Sequence, residues 1–269
     1  MTIQKLTAAI FAILLTLTIG SPELRAQASS YQQMSQADRA QFVAAQARRI
    51  AAEMSGRDYE FTPAFLEDIQ QSVNQYTRRI GNENGNSDKH DLRLVMERGQ
   101  ANAAALSAAF KARNVSPLIG IYIPWIESEY INIASPNSMG SIGMFQFLPK
   151  TGERFGLSAA DLLDVTKSAD AAARYISGNI DQFKDDPMRE ALALLSYNRG
   201  EQQTARDLKV LVNEQNRQCS ICALTADRSK LDERFRYENV YYVPRFFAAA
   251  IIGENPSAFG LKGEPLSSH

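Results

Sequence analysis

Glu127 is the residue of this chain best suited to acid–base chemistry, because it follows an apolar run and precedes a loop rich in Ser, Pro, Asn and Gly. Burial of its carboxyl group beside Trp125 and Ile126 would disfavour the ionised form and raise its pKa. A carboxyl group with a raised pKa can act as a general acid near neutral pH. The alternative interpretation is that Glu127 and Glu129 are two solvated charges at a helix end.

Two downstream segments carry polar groups that suit a carbohydrate substrate. Gly140 and Gly143 precede Gln146, whose amide can both donate and accept hydrogen bonds. Glycine permits a positive φ and the close approach of a ligand. Tyr197 and Asn198 then stand at the end of a predicted helix. Each pattern is weak alone, because Gly-x-x-Gly-x-x-Gln occurs by chance and Tyr-Asn-x-Gly is an ordinary helix terminus.

The overall composition argues against several other kinds of chemistry. The net charge is -1 at pH 7, so we expect no polybasic surface and no nucleic-acid partner. Only two histidines occur, His90 and His269, which argues against a histidine-based metal cage or a catalytic triad. We therefore expect carboxylates and hydroxyls to carry any catalysis, with no metal ion and no cofactor.

The N-terminus is typical of a secretory signal peptide over residues 1–28. A short basic segment leads into an uncharged apolar run over 6–19, and a small-x-small motif at 26–28 predicts cleavage after Ala28. The alternative is an N-terminal membrane anchor, although the run is shorter than the about 20 residues that cross a bilayer. We expect a mature chain without an integral membrane span, located in the periplasm or outside the cell.

Export makes a local disulfide the favoured interpretation of Cys219 and Cys222, which are three residues apart. A redox motif would normally open a helix after a strand, and a metal site needs more ligands than two.

Residue periodicity predicts an all-α protein with two parts. Residues 29–114 are expected to form an N-terminal helical module of about three helices, over 35–54, 62–81 and 89–113. Residues 115–269 are expected to form the catalytic domain, with helices over about 118–130, 168–183, 186–198 and 238–252. The segment 200–234 is polar and is predicted to be irregular.

Taken in order, these motifs resemble the signature of the soluble lytic transglycosylase (SLT) family, which is related to goose-type lysozyme. The resemblance rests on Glu127-Ser128, then Gly143 to Gln146, then Tyr197-Asn198, and it covers about residues 118–198. It resumes over 238–245, where a Tyr-Val-Pro element is similar to that of the membrane-bound type D subgroup.

The resemblance implies a lysozyme-like fold and cleavage of the peptidoglycan glycan between N-acetylmuramic acid and N-acetylglucosamine. It implies that Glu127 is the single catalytic acid and base. It also implies substrate-binding roles that we assign to Ser128, Ser135, Gln146, Tyr197, Asn198 and Tyr242.

The family usually has a serine that holds the N-acetyl group. The corresponding loop here has a different length, so both Ser135 and Ser138 are candidates and Ser135 is the one we select. Arg199 stands where a small residue is common, and could narrow the cleft or bind an anionic peptide stem.

The spacing of acidic residues favours a lyase over a hydrolase. A glycosidase usually needs two carboxylates, yet no Asp or Glu occurs between Glu129 and Glu153. A second carboxylate would have to come from further along, such as Asp161 or Asp164. We therefore expect a lytic transglycosylase that forms a 1,6-anhydro product. The alternatives are a hydrolytic lysozyme on the same fold and a non-catalytic peptidoglycan-binding protein.

Overall fold

A computed structural model describes residues 30–81 and 88–269 and is almost entirely helical. Its α-helices are α1 (Gln36–Ser55), α2 (Pro63–Thr77), α3 (Leu92–Lys111), α4 (Pro117–Ser128), α5 (Pro149–Glu153), α6 (Val165–Gln182), α7 (Arg189–Arg199), α8 (Glu201–Leu211), α9 (Ser220–Ala226), α10 (Glu233–Tyr237) and α11 (Tyr242–Gly253). Short 3₁₀ turns connect several of them, and the isolated pair Ile142 and Phe147 is the β-bridge found in the described part. The predicted all-α fold is confirmed. The predicted signal peptide lies outside the described residues.

Side-chain caps explain where several helices begin. The Ser35 hydroxyl accepts a hydrogen bond from the Asp38 N–H at 3.1 Å, which starts α1. Thr62 caps α2 in the same way, ahead of the proline at the first helical position. Helix α6 begins earlier than predicted, because Asp164 accepts hydrogen bonds from two backbone N–H groups of its first turn.

The prediction of an irregular segment over 200–234 was wrong. Helices α8 and α9 lie within it, and α10 begins at Glu233 near its end. Cys219 and Cys222 form a disulfide at the start of α9, with Cα atoms 5.1 Å apart. The Cys222 sulfur also accepts a hydrogen bond from the Thr62 N–H at 3.4 Å, which ties α9 to the start of α2.

Helix α4 lies at the centre of the molecule. Nearly every one of its residues is buried, and it packs against α3 on one side and α11 on the other. Helices α1 and α2 in turn pack against α11, so one hydrophobic core includes residues from both sides of position 114. Phe61, for example, lies edge-to-face with Phe247 at 5.1 Å. The division into a helical module and a catalytic domain remains a prediction. Within the described residues, no helix is both long enough and apolar enough to span a membrane.

Candidate active site

Glu127 lies in the last turn of α4, where its carboxyl group is enclosed by buried side chains. Trp125 and Ile126 precede it in the core, and the Tyr242 hydroxyl of α11 donates a hydrogen bond to its Oε1 at 2.7 Å. Burial raises the pKa of Glu127 to about 7, although the Tyr242 hydrogen bond and the positive charge of Arg245 act in the opposite direction. The carboxyl group can therefore carry or release a proton near neutral pH.

Glu129 has a different role, in the chain reversal that follows α4. Both Glu129 and Tyr130 have positive φ values, 53° and 61°. The Glu129 carboxylate forms an ion pair with Arg79 at 2.6 Å and a hydrogen bond with His90 at 2.7 Å, and these contacts hold it away from the site. The two glutamates are thus not an equivalent pair of solvated charges.

Ser128 connects α4 to the loop that follows it. Its hydroxyl is buried and donates to the Met144 carbonyl oxygen at 2.7 Å. This hydrogen bond fixes the position of the loop over 131–146 relative to Glu127. The structure therefore shows Ser128 in a contact with the protein's own backbone.

Gln146 is held at the end of that loop in a left-handed conformation, with φ of 49°. Its Nε2 donates to the Gly143 carbonyl oxygen at 2.8 Å, and its Oε1 accepts from Asn137 at 3.3 Å. Gly143 has a φ of 77°, and a Cβ atom there would lie 2.3 Å from the Leu162 carbonyl oxygen. We expected a ligand to approach the glycines of this loop closely. At Gly143 the backbone of Leu162 makes that close approach instead.

Tyr197 and Asn198 reach the same region from the end of α7. The Tyr197 hydroxyl donates to the Phe145 carbonyl oxygen at 2.9 Å. The Asn198 Oδ1 accepts a hydrogen bond from the Asn239 side chain at 2.6 Å. Burial raises the pKa of Tyr197, and the negative charge of Glu127 adds to this effect.

Arg199 does not face the cleft, contrary to expectation. Its side chain is 4% exposed and pairs with Asp207 at 3.0 Å and Asp232 at 2.5 Å. It also donates to the Asn239 Oδ1 at 3.1 Å, next to the hydrogen bond that holds Asn198. The two carboxylates satisfy its charge internally, so a peptide stem is not its partner.

Ser135 and Ser138 both lie exposed in the loop over 131–146. Asn137, between them, organises this loop, because its Oδ1 accepts from the backbone N–H groups of Met139 and Ser141. Sequence reasoning missed Asn137, although an asparagine in a Ser/Pro/Gly loop commonly bonds to nearby backbone in this way.

Neither suggested second carboxylate has its charge directed at Glu127. Asp161 bonds to Lys167 and Ser158, which lowers its pKa, and Asp164 caps α6. The acidic residue whose charge raises the pKa of Glu127 is Glu238, an exposed side chain just before α11. In the sequence, Glu238 stood out only as part of the segment that contains the Tyr-Val-Pro element. Packing between distant parts of the chain places its charge where it acts on Glu127.

A cavity of about 1070 Å³ lies elsewhere, between α3 and residues 260–263. None of the candidate site residues lines it. The cluster around Glu127 is therefore defined by its side chains and not by this cavity.

Comparison with known proteins gives one family match. Residues 105–218 match the model of a family described as the transglycosylase SLT domain. Residues 105–218 are thus similar to an SLT domain. This domain is associated with lytic transglycosylases that act on peptidoglycan, and its match includes Glu127, Gln146, Tyr197 and Asn198. No curated protein matches the chain significantly.

The match ends before the second half of the site. Tyr242, which bonds to Glu127, and the neighbouring Arg245 and Glu238 lie beyond residue 218. The assignment to the type D subgroup, which rested on the segment over 238–245, remains a prediction.

Proposed function

We propose that the protein is a peptidoglycan lytic transglycosylase in which Glu127 acts first as an acid and then as a base. The substrate is the β-1,4 bond between N-acetylmuramic acid and N-acetylglucosamine, and the product carries a 1,6-anhydro ring. The observation that supports this most is the hydrogen bond from Tyr242 to a partly buried Glu127 with a pKa of about 7. Such a group is close to equally able to donate and to accept a proton near neutral pH.

In the first step, protonated Glu127 donates its proton to the glycosidic oxygen as the bond to the anomeric carbon breaks. The N-acetyl oxygen of the N-acetylmuramic acid that carries this anomeric carbon then attacks it and gives a cyclic oxazolinium ion. This is a substrate-assisted route. Gln146, Asn198 and either Ser135 or Ser138 are the side chains proposed to hold the sugar. Tyr197 is proposed to orient the N-acetyl group or the acid.

In the second step, ionised Glu127 removes the proton from the C6 hydroxyl group. The C6 oxygen then attacks the anomeric carbon, the oxazolinium ring opens to restore the N-acetyl group, and the 1,6-anhydro bond is formed. Water is not consumed, and Glu127 returns to its protonated state. No residue is needed to activate a water molecule.

The substrate also bears on location. SLT domains act on the cell wall, which implies an extracytoplasmic site of action. We propose that the signal peptide over residues 1–28 directs export to the periplasm or beyond. We propose that residues 29–114 support one wall of the cleft, because α2 and α3 pack against α11 and α4.

A second candidate is a hydrolytic lysozyme, and the position of Glu238 is the observation that favours it. In a hydrolase the second carboxylate would activate a water molecule on the opposite face of the sugar. Glu238 is exposed and lies within 3.3 Å of Arg234, so its charge is partly offset.

Mass spectrometry of the soluble products from purified peptidoglycan distinguishes the two. The transglycosylase gives products that end in 1,6-anhydro-muramic acid, each about one water lighter than the reducing products of a lysozyme.

We expect E127Q to lose at least about a thousandfold in rate, since it removes both the acid and the base. The matched control E153Q changes an exposed glutamate on α5 and should retain activity. Reducing-end products would replace this proposal with hydrolysis. An absence of products from folded protein would replace it with a binding function.

A further inference from the structure

Arg245 lies one turn after Tyr242 on α11 and faces the end of α4. Its Nη2 donates to the Ile126 carbonyl oxygen at 3.1 Å, next to the residue that we propose as the acid. The Tyr130 N–H, which would bond to Ile126 in a continuous helix, instead bonds to the Pro124 carbonyl oxygen. Arg245 thus supplies a donor to a helix-end carbonyl that has lost its usual partner.

Helix α2 packs against α11 and also contributes a ring that contacts α4. Tyr76 of α2 is buried edge-to-face against Trp125, with ring centroids 6.1 Å apart. The positive charge of Arg245 acts on the Tyr76 hydroxyl as well as on Glu127. The hydrogen bond to Ile126 holds the Arg245 side chain against α4, while the residue as a whole is exposed.

We propose that Arg245 is a positioning residue that keeps Glu127 able to act in both steps of the reaction. It does so by holding the last turn of α4 and by placing a positive charge beside the carboxyl group. This inference rests on the proposed function, because it concerns the same carboxyl group.

The need for such a charge follows from the two steps. Burial alone favours the protonated carboxyl group, which suits proton donation but opposes the ionised state that must form next. A nearby cation stabilises the ionised carboxylate of Glu127. The carboxylate itself remains the acceptor of the C6 proton. Glu238 acts in the opposite direction, since its negative charge raises the pKa of Glu127.

The other charged and titratable groups around α4 are accounted for. Tyr242 from α11 bonds directly to Glu127, and Tyr197 from α7 lies near it. Arg79, His90 and Arg98 all engage Glu129, through its carboxylate or its backbone carbonyl. On the α1 side, the charge of Arg49 acts on Tyr122. Arg245 is thus the cation whose charge is directed at Glu127 in the described structure.

The direct test is a carbon-13 NMR titration of the protein labelled at its glutamate carboxyl groups. The Glu127 signal is identified by its loss in E127Q. We expect the titration midpoint of Glu127 to move upward in R245M and R245Q, to move downward in E238Q, and to stay near the wild-type value in R245K. This measurement needs no substrate, so it stands even if the product analysis overturns the proposed reaction.

Kinetics provide the second readout. Loss of Arg245 should raise the ratio of kcat/KM at about pH 8 to that at about pH 6 by roughly threefold, since more Glu127 stays protonated. The kcat at low pH should fall at the same time, because the ionised state is less stable. An unchanged midpoint in both R245M and R245Q, or a failure of R245K to restore it, would overturn the inference. A purely structural role would lower thermal stability without moving the midpoint.

Discussion

At the scale of single residues, the raised pKa of Glu127 has a consequence for stability. The folded state binds this proton more tightly than the unfolded state, since the pKa rises from 4.5 to about 7 on folding. The associated stabilisation is fully present below pH 4.5 and is lost as the pH rises through about 7.

We therefore predict that E127Q stabilises the protein at alkaline pH, because glutamine resembles the protonated acid. The free energy of unfolding should rise by about 1–3 kcal/mol above pH 8 and stay unchanged near pH 4, after allowance for partial exposure. Denaturant unfolding at both pH values measures this. The control E153Q should show no difference between them, and an equal gain for E127Q at both would contradict the assignment.

Single residues of the site were predictable only where a local motif carried them. Glu127 follows an apolar run, and Tyr242 belongs to a Tyr-Val-Pro element, so both were found from the sequence. Arg245 and Glu238 acquire their roles through the packing of α11 against α4, which no local pattern encodes. Arg199 was misjudged because its carboxylate partners, Asp207 and Asp232, lie in the segment predicted to be irregular.

At the scale of elements, the loop over 131–146 depends on how closely it approaches the turn at Leu162. A Cβ atom at Gly143 would overlap the Leu162 carbonyl oxygen, whereas one at Gly140 would meet no atom within 4 Å. Both glycines have positive φ values, 77° and 86°, so the strain from the conformation itself is similar.

We predict that G143A reduces activity much more than G140A. The backbone conformation costs both variants about 1 kcal/mol, and the overlap adds a displacement of the loop that carries Gln146. Glycan cleavage rates and thermal unfolding of the two variants measure the difference. Equal losses would show that the approach to Leu162 does not position the loop.

Whole helices were predicted well where amphipathic periodicity or caps marked them. Helices α1 and α3 lie within a few residues of their expected bounds. Helices α8, α9 and α10 were missed because they are short and carry polar residues. They also follow Gly200, which was read as the end of the helical pattern of α7. Helix α4 is apolar on all sides, and its central position explains why a single-face pattern is absent.

At the scale of the whole molecule, the N-terminal helices and the helices of the proposed catalytic domain share one core. Removal of residues 29–114 would expose the faces of α4 and α11 that α1, α2 and α3 now cover. Those faces include Phe247, which contacts Phe61, and Trp125, which contacts Tyr76.

We predict that residues 115–269 alone do not form a folded, active enzyme. The full chain should instead unfold in a single cooperative thermal transition. Circular dichroism and calorimetry of the two proteins measure this, with glycan cleavage as the functional readout. A truncated protein with native helix content and full activity would show that the N-terminal helices are dispensable.

The bond between Tyr242 and Glu127 joins residues that are 115 positions apart, and it has a consequence for the order of synthesis. A ribosome completes α4 and the SLT match long before it reaches α11. Until then the acid has neither its tyrosine nor its arginine, and α4 has no cover on that side. A nascent chain that stops before α11 therefore holds the acid without the side chains that contact it, and the proposed activity is delayed until α11 has been made.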